Sequence, residues 1–283
     1  MATDCTPTET LPMTAASDEV LRRQFEVEKD LGARLRASTR EERMKLVGQL
    51  YTELFERVPE HVRLTRRATP EDSARAVNAR LRLLRPALSA DTVMLEIAPG
   101  DCRLAAAAAG LAKEVIAVDI SDQHDPQEKL PDNLRLVIYD GYHLDVPDAS
   151  VDVAFSYQFL EHLHPDDVGA HFDMVSRVLK RGGCYIFDTP HRYSGPHDIA
   201  GLFGHELVCL HMQEWTYREM RALGVKHGFA EGYIYRKGSV RKQWGLNALN
   251  DGVEALCGLL PRGLRKAVCK RLFGSVTMML VKR

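Results

Sequence analysis

The 283-residue sequence has no long apolar run, no excess of one charge and no closely paired cysteines. No segment reaches the roughly 20 apolar residues that a membrane-spanning helix requires, so we expect no stable membrane insertion. The 38 Lys and Arg residues balance the 39 Asp and Glu residues, whereas a protein that binds nucleic acid usually has a basic excess. The six cysteines form no C-x-x-C pair, which argues against a zinc or redox motif.

The N-terminal segment, residues 1–18, is rich in Thr, Ala and acidic residues and contains no apolar stretch. This pattern is not that of a secretion signal and predicts a disordered tail. Without such a signal, the cysteines are expected to be reduced thiols, as is typical of a cytosol. We therefore expect a soluble cytoplasmic protein, long enough to bury a full hydrophobic core.

Residues 19–90 show helical periodicity and contain no strand candidate, which predicts an N-terminal helical cap. Thr39 followed by Glu42 is typical of a capping box at the start of one helix. Thr69 and Pro70 predict the N-cap and first turn of another. The apolar face of the first of these helices comprises Val47, Leu50, Tyr51, Leu54, Phe55 and Val58.

From residue 91 onward the pattern changes to short apolar segments separated by helices. Almost wholly apolar strands that are joined through helices indicate a parallel sheet covered on both faces. Residues 91–283 are therefore predicted to form an α/β, doubly wound, mostly parallel seven-stranded sheet with a helical insertion at about residues 237–273. The strand candidates are Thr92–Ile97, Glu114–Ile120, Leu134–Tyr139, Val151–Tyr157, Cys184–Asp188, Gly232–Arg236 and Ser275–Val281.

A turn with little side-chain bulk follows the first predicted strand. It contains Gly100, with Ala98 as a small substitute and Cys102 where a third glycine would be expected. Such a turn lets the backbone approach a ligand, although an ordinary tight strand–helix turn has the same composition. The second strand ends in Asp119, about 20 positions further on, where a carboxylate can accept hydrogen bonds from two ribose hydroxyls. Together, these features indicate a nucleoside site.

Three later motifs identify the expected nucleoside. They are Tyr139-Asp140-Gly141 after the third strand, Glu161-His162 after the fourth, and Gly182-Gly183 before the fifth. In this order the chain resembles the class I methyltransferases, in particular the group that includes the ubiquinone and menaquinone methyltransferases. The resemblance covers about residues 91–229 and implies a Rossmann-like methyltransferase fold. It also implies S-adenosyl-L-methionine as cofactor and S-adenosyl-L-homocysteine as product.

The resemblance also implies a role for individual residues. Glu96 and Gly100 would hold the methionine part of the cofactor, and Asp119 would hold its ribose. Ala98 and Cys102 stand where the family has glycines, so the exact path of the turn is left open. For Cys102, the role of a buried small residue is favoured over that of a nucleophile. The other cofactor-binding candidates are Ala98 in the turn, Asp140 for the adenine amino group, Gly141 for backbone approach and Gln158 beside the cofactor.

Histidines are concentrated in the loops after the fourth and fifth strands, which face the ligand in a doubly wound sheet. Transfer of a methyl group to a hydroxyl requires a base, and histidine titrates in the right range. We rank His191 and His197 first as catalytic base, followed by His162 and His211. No metal is expected, since the spacing of the alternative ligand set matches no known signature; that set is His191, His197, Asp198 and His205.

Two basic segments admit more than one role. Residues 236–244 could hold an acidic substrate group, although a solvated loop is favoured. Residues 261–273 form a basic amphipathic segment that could rest on an anionic membrane. A helix that packs against the sheet or covers the pocket is favoured there.

We therefore expect a methyltransferase that acts on a small-molecule acceptor. The first hypothesis is O-methylation of a sugar-containing or polyketide-like metabolite, and the alternative is C- or N-methylation of a quinone precursor or another small molecule. An NAD-dependent oxidoreductase would share the fold, and a non-catalytic cofactor-binding protein is the third hypothesis. No nucleic-acid partner is expected, and a homodimer is an open alternative to a monomer.

Overall fold

An eight-stranded sheet lies at the centre of the computed structural model, which describes residues 17–61, 69–236, 239–242 and 244–283. Most of the predicted disordered tail and part of the basic segment 236–244 lie outside the described residues. The strands are β1 (Val93–Ile97), β2 (Glu114–Asp119), β3 (Leu134–Ile138), β4 (Val151–Tyr157), β5 (Leu179–Pro190), β6 (Phe229–Arg236), β7 (Ser239–Arg241) and β8 (Ser275–Lys282).

The strand order is β3-β2-β1-β4-β5-β8-β6-β7. The first five strands of this order run parallel, and β8, β6 and β7 continue the sheet in antiparallel pairs. The chain reverses its direction of travel across the sheet between β1 and β4, and a ligand crevice forms at the carboxyl ends of the strands at such a point. The predicted α/β doubly wound sheet is confirmed. Seven strands were predicted and eight are present. Strand β7 was not predicted, because it is only three residues long and two of those residues are polar.

Helices flank the sheet and also precede it. Where cap residues were predicted, the structure confirms them: Oγ1 of Thr39 accepts from the amide of Glu42, and Oε2 of Glu42 accepts from the amide of Thr39. The helices are α1 (Asp18–Ala37), α2 (Arg40–Arg57), α3 (Pro70–Leu84), α4 (Arg103–Ala109), α5 (Pro165–Val178), α6 (Ala200–Phe203), α7 (Tyr217–Lys226), α8 (Trp244–Gly258) and α9 (Arg262–Leu272), with single 3-10 turns at Arg85–Ala87 and Leu160–His162.

Apolar side chains cover both faces of the sheet, which explains why its central strands are mostly apolar. Phe172 of α5 belongs to the cluster on one face, and Leu84 of α3 and Leu104 of α4 belong to the cluster on the other. The insertion helices α8 and α9 contribute Cys257 and Cys269 to the first cluster, as expected of helices that pack on a sheet. No helix in the described part of the chain is both long enough and apolar enough to cross a membrane.

Helices α1 and α2 pack against the segment that follows α6. The guanidinium of Arg36 donates to four backbone carbonyl oxygens of residues 207–211, at 2.7–3.0 Å. Further along, Arg43 donates from Nε and Nη2 to the two carboxylate oxygens of Asp167, at 2.6 and 3.0 Å. These contacts fix the N-terminal helices beside the carboxyl edge of the sheet. The division into a cap, residues 19–90, and a catalytic domain, residues 91–283, stays a prediction.

Candidate functional site

The turn between β1 and α4 has the backbone conformation of a glycine-rich loop although it contains one glycine. Ala98, Gly100 and Cys102 have φ values of 56°, 58° and 59°, in the left-handed region that glycine favours. A Cβ built on Gly100 meets no atom within 4 Å, so its backbone is open to a ligand. Ala98 and Cys102, which stand where glycines would be expected, therefore still adopt the backbone conformation of the glycine-rich turn.

Glu96, the penultimate residue of β1, is 4% exposed. Its Oε2 has no hydrogen-bond partner among the described residues. Burial raises the pKa of Glu96 to about 8, and the positive charge of Arg80 opposes this rise. Because an unsatisfied buried carboxyl oxygen is costly, the site fits a ligand that brings a donor, such as the ammonium group of a bound amino acid moiety.

Asp119, at the end of β2, connects the two turns at the carboxyl edge. Its Oδ2 accepts from the amide of Gly100 at 3.3 Å, and its Oδ1 accepts from the amides of Ile120 at 2.7 Å and Ser121 at 3.3 Å. Burial raises its pKa, and these amides oppose the rise. A carboxylate has about four lone-pair sites, so Asp119 can hold both turns and still accept from a ligand hydroxyl.

The turn after β3 is ordered by its own acidic residue. Oδ1 of Asp140 accepts from the amides of Tyr142 at 2.8 Å and His143 at 2.6 Å. Burial raises the pKa of Asp140, but the hydrogen bonds from these amides and the imidazole of His143 outweigh burial and lower the pKa. Gly141 has a φ of 86°, where a side chain would be strained. Asp140 is thus held as a carboxylate at the position predicted for the adenine contact.

Gln158 follows β4 and has a φ of 51°. Its Nε2 donates to Oδ1 of Asp188 at 2.7 Å, and its amide donates to the carbonyl of Asp188 at 2.8 Å. The other carboxylate oxygen of Asp188 accepts from the hydroxyls of Ser275, at 2.7 Å, and Thr277. The predicted cofactor neighbour is therefore positioned by strands β5 and β8.

A second group of polar side chains, the histidine–glutamate cluster, lies beyond the ends of β4 and β5. Its members are Glu161, His162, His197, His211 and Glu214. Oε1 of Glu214 accepts from the amide of His197 at 2.7 Å and lies 3.2 Å from Nδ1 of His211. It also lies 3.2 Å from Nδ1 of His197, an ion-pair distance without hydrogen-bond alignment. The rings of His162 and His211 meet edge to face, 5.0 Å apart.

The carboxylates of this cluster are held differently. Despite burial, the imidazoles of His197 and His211 lower the pKa of Glu214 to about 2. Burial raises the pKa of Glu161 to about 7, with His211 opposing it. A Cβ on Gly195 would lie 1.8 Å from Oε2 of Glu214, so only glycine allows the loop to pass this carboxylate.

Comparison with known proteins shows one family that is similar to the part of the chain that forms this site. A methyltransferase domain family matches residues 95–187, about a third of the chain, from β1 to β5. This part of the chain is therefore similar to a methyltransferase domain. The match supports S-adenosylmethionine as its cofactor, and the residues around Glu96 and Asp119 fit that ligand. No relative was found among curated proteins.

Solved structures also resemble this chain in fold. One is the 1,6-didemethyltoxoflavin-N1-methyltransferase of Burkholderia thailandensis, at 16% identity and a TM-score of 0.54, covering 87% of this chain and 91% of that one. Another is the geranyl diphosphate C-methyltransferase of Streptomyces coelicolor A3(2), at 15% identity and a TM-score of 0.50, covering 75% and 81%. At these identities the similarity establishes the fold alone.

His191, ranked first as base together with His197, lies outside the histidine–glutamate cluster. Its side chain has no exposed surface and stacks on Phe273, with ring centroids 5.0 Å apart. Its Nε2 lies 2.8 Å from Oε1 of Glu254, and its Nδ1 accepts from the amide of Tyr193 at 3.2 Å. Both ring nitrogens have partners within the fold, so the structure assigns His191 to packing between β5 and α8 and does not support it as a base.

The metal-ligand set considered in the sequence is also not assembled. His205 is exposed and His191 is bound to Glu254, so the set has no common centre. Among the described residues, the one group of three such side chains with ligand atoms within 4.8 Å of one another is Glu161, His162 and His211. Glu161 was not predicted as a site residue, because only the histidine of the Glu161-His162 motif was considered, as a catalytic base.

Cys102 has the packing role that the sequence favoured. The residue is 1% exposed, and its Sγ lies 3.9 Å from the carbonyl oxygen of Gly100. Burial, together with the nearby carboxylate of Glu96, raises the pKa of the thiol to about 12. A thiol that stays protonated at neutral pH is a poor nucleophile.

Ala98→Gly should stabilise the protein, because a left-handed conformation strains alanine but not glycine. We expect the free energy of unfolding to rise by about 0.5–1 kcal/mol, since part of the relief is offset by the greater freedom of glycine in the unfolded chain. The matched control is Ala107→Gly in α4, which should lower the free energy of unfolding by about 1 kcal/mol. Urea denaturation followed by circular dichroism measures both. Equal destabilisation by the two substitutions would contradict the left-handed turn.

Proposed function

We propose that this protein is an S-adenosylmethionine-dependent methyltransferase that methylates a hydroxyl oxygen of a small molecule. The observation that carries the proposal is the histidine–glutamate cluster, which places three imidazoles and two carboxylates at the carboxyl edge of the sheet. When bound, the cofactor supplies an electrophilic methyl group. An oxygen acceptor must then lose its proton, and this cluster provides groups that can take it.

The cofactor would be held by the residues at the ends of the first three strands. Glu96 would accept from the ammonium group of the methionine part, and Asp119 from the ribose hydroxyls. Asp140 would accept from the adenine amino group, with Gly141 leaving room for the ligand. Glu96 supports this assignment because one oxygen of its buried carboxyl has no hydrogen-bond partner among the described residues.

Two histidines of the cluster are candidates for the base. Nδ1 of His162 lies 3.2 Å from the carbonyl oxygen of Leu210, which in a neutral imidazole makes Nε2 the proton acceptor. His197 has Glu214 beside Nδ1, and a carboxylate in that place stabilises an imidazolium. Nε2 of His197 lies 3.1 Å from the hydroxyl of Ser194, which an acceptor hydroxyl would have to replace, whereas His162 needs no such exchange with Ser194.

Release of S-adenosylhomocysteine with a panel of acceptors tests the proposed acceptor atom. We expect turnover with hydroxylated compounds, with sugar-containing and polyketide-like molecules as the first choices. His162→Ala and His197→Ala separate the two bases: loss of the base should lower kcat by about 100-fold or more while KM changes little. Turnover confined to amines or carbon acceptors would contradict the proposal, and so would full kcat in both variants.

C- or N-methylation, including that of a quinone precursor, is the alternative. The two solved structures named above act, by their names, on nitrogen and on carbon, so a shared fold does not choose the acceptor atom. The motif order favours the ubiquinone and menaquinone methyltransferase-like group as the subgroup. An NAD-dependent oxidoreductase is less well supported because the chain lacks two of the glycines of the dinucleotide fingerprint, having Ala98 and Cys102 there.

The proposed contact of Glu96 makes cofactor affinity depend on pH. The pKa of about 8 in the free protein means that Glu96 is largely protonated at pH 6, whereas contact with an ammonium group requires the carboxylate. We expect the affinity for S-adenosylhomocysteine to rise about tenfold from pH 6 to pH 8. The charged groups that face Glu96 are Arg80, Asp101 and Asp119. Calorimetric titrations at both pH values measure this rise.

Glu96→Gln provides the control for that experiment. The ligand's own amino group titrates identically with both proteins, so any difference belongs to Glu96. The variant should bind about tenfold more weakly than the wild type at pH 8, and its affinity should change much less with pH. An equal pH dependence in both proteins would rule out titration of Glu96 as the cause.

A further inference from the structure

Glu161 has a fully buried carboxylate, one oxygen of which has no hydrogen-bond partner among the described residues. It is 0% exposed, and its Oε2 accepts from the hydroxyl of Thr189 at 2.9 Å. Its Oε1 has no hydrogen-bond partner among the described residues. A buried carboxylate oxygen is costly unless a cation or a donor meets it. Ring nitrogens of His162 and His211 offer ligand atoms within 4.8 Å of this carboxylate and of each other.

The two imidazoles are held as metal ligands usually are. A histidine that binds a metal almost always donates its other ring N–H to a carbonyl or a carboxylate. Nδ1 of His162 is 3.2 Å from the carbonyl oxygen of Leu210, and Nδ1 of His211 is 3.2 Å from the carboxylate of Glu214. In the neutral form of each ring, this arrangement makes Nε2 the acceptor atom.

The surrounding backbone fixes these side chains to two elements of the fold. Glu161 and His162 lie in the 3-10 turn just after β4, and the carbonyl of Glu161 accepts from the amides of Met212 at 2.7 Å and Gln213 at 3.3 Å. Arg36 holds the preceding segment through four carbonyl oxygens, one of them that of His211. The three side chains are therefore positioned independently of any ligand.

We propose that Glu161, His162 and His211 bind one divalent transition-metal ion at the carboxyl edge of the sheet. Two imidazoles and one carboxylate suit first-row ions such as Mn²⁺, Co²⁺ or Zn²⁺, and a set of three leaves positions open for other ligands. An acceptor hydroxyl at an open position would have a lower pKa, which assists its methylation. This role rests on the proposed function, but binding of the ion does not.

The assignment also separates the two candidate bases. A His162 whose Nε2 binds a metal cannot accept a proton at that atom. The base for the acceptor hydroxyl is then His197, whose amide donates to Glu214 and whose Nδ1 lies 3.2 Å from the same carboxylate.

Titration of the full-length protein with single metals tests the site. After dialysis against EDTA and removal of the chelator, MnCl₂, CoCl₂ and ZnCl₂ are titrated separately by calorimetry, and visible absorption follows Co²⁺. We expect one ion per chain for at least one of these metals. Since loss of a group that only supports a ligand costs 10–100-fold in affinity, Glu161→Gln, His162→Ala and His211→Ala should each cost roughly 100-fold or more.

Two further variants complete the experiment. Glu214→Gln, which removes the partner of a ligand, should weaken binding by about tenfold. His205→Ala replaces an exposed histidine outside the site and should leave the affinity unchanged. Circular dichroism confirms folding of every variant, and the partly exposed His162 is the least disruptive position if a buried substitution unfolds the chain.

The result that overturns the site is absence of binding by all three ions, or wild-type affinity in any folded ligand variant. Affinity for S-adenosylhomocysteine is measured on the same samples. If no metal ion binds but S-adenosylhomocysteine does, only the metal site is rejected. If the wild-type protein does not bind S-adenosylhomocysteine, the proposed function is rejected.

Discussion

Asp119→Asn should reduce the affinity for S-adenosylhomocysteine by about 100-fold or more. A carboxylate that accepts from a ribose hydroxyl makes a charged hydrogen bond, which contributes about 1.5–3 kcal/mol. The amide of asparagine has one acceptor oxygen and no charge. Because Asp119 also accepts from the amides of Gly100, Ile120 and Ser121, the substitution additionally loosens the turns that would carry the ligand. Isothermal titration calorimetry measures the affinity.

Asp122→Asn is the matched control for this prediction. Asp122 lies three residues further on, is exposed and accepts only from the amide of His124. It carries the same charge, so a loss caused by long-range electrostatics would appear in both variants. Affinity of Asp119→Asn within threefold of the wild type would remove Asp119 from the cofactor site.

Arg43→Met should lower the free energy of unfolding by about 3 kcal/mol or more. The side chain of Arg43 is 3% exposed, and its two bonds to Asp167 measure 2.6 and 3.0 Å. Removing one partner of a buried ion pair leaves the other charge uncompensated, which typically costs about 3–5 kcal/mol. The hydroxyl of Tyr142 still donates to Asp167 at 2.7 Å, which places the expected loss near the lower limit.

Arg40→Met is the control, because Arg40 also contacts Asp167, at 3.2 Å, but is 48% exposed. An exposed pair contributes at most about 1 kcal/mol. Guanidinium denaturation compares the variants, and limited proteolysis reports whether α1 and α2 become accessible. If Arg43→Met costs no more than Arg40→Met, the docking of the N-terminal helices does not depend on this pair.

The sheet was predictable because its signal is local. Strands such as Val151–Tyr157 are buried on both faces and are therefore mostly apolar runs, and helix starts such as Thr39 are marked by cap residues three positions apart. The carboxyl edge was predictable for the same reason, since Glu96, Asp119 and Asp140 each end or follow such a run. Parallel strands then bring these residues to one edge.

The roles of the histidines were not predictable in this way, because each depends on a distant partner. Glu254, which binds His191, comes 63 residues later and belongs to the insertion. Glu214 lies 17 residues after His197 in a loop without periodicity. Nothing in the spacing of His191 and His197 distinguishes the buried one from the one in the cluster.

The turn after β1 illustrates a different limit. Ala98 and Cys102 were departures from a glycine pattern, and composition alone counts them against a ligand-binding turn. Their φ values of 56° and 59° show that the surrounding structure imposes the conformation on residues that do not favour it. A sequence pattern indicates which residue adopts a conformation with the least strain. The fold can nevertheless impose that conformation on another residue at a modest cost in free energy.

Calorimetric titration of the full-length protein with S-adenosylhomocysteine, and separately with NAD⁺, tests the central claim most directly. We expect one equivalent of S-adenosylhomocysteine to bind with a Kd of roughly 1–100 μM, with no detectable binding of NAD⁺. Binding of NAD⁺ in its place, or the absence of binding by both S-adenosylhomocysteine and S-adenosylmethionine, would contradict the assignment of the carboxyl edge as a methyltransferase cofactor site.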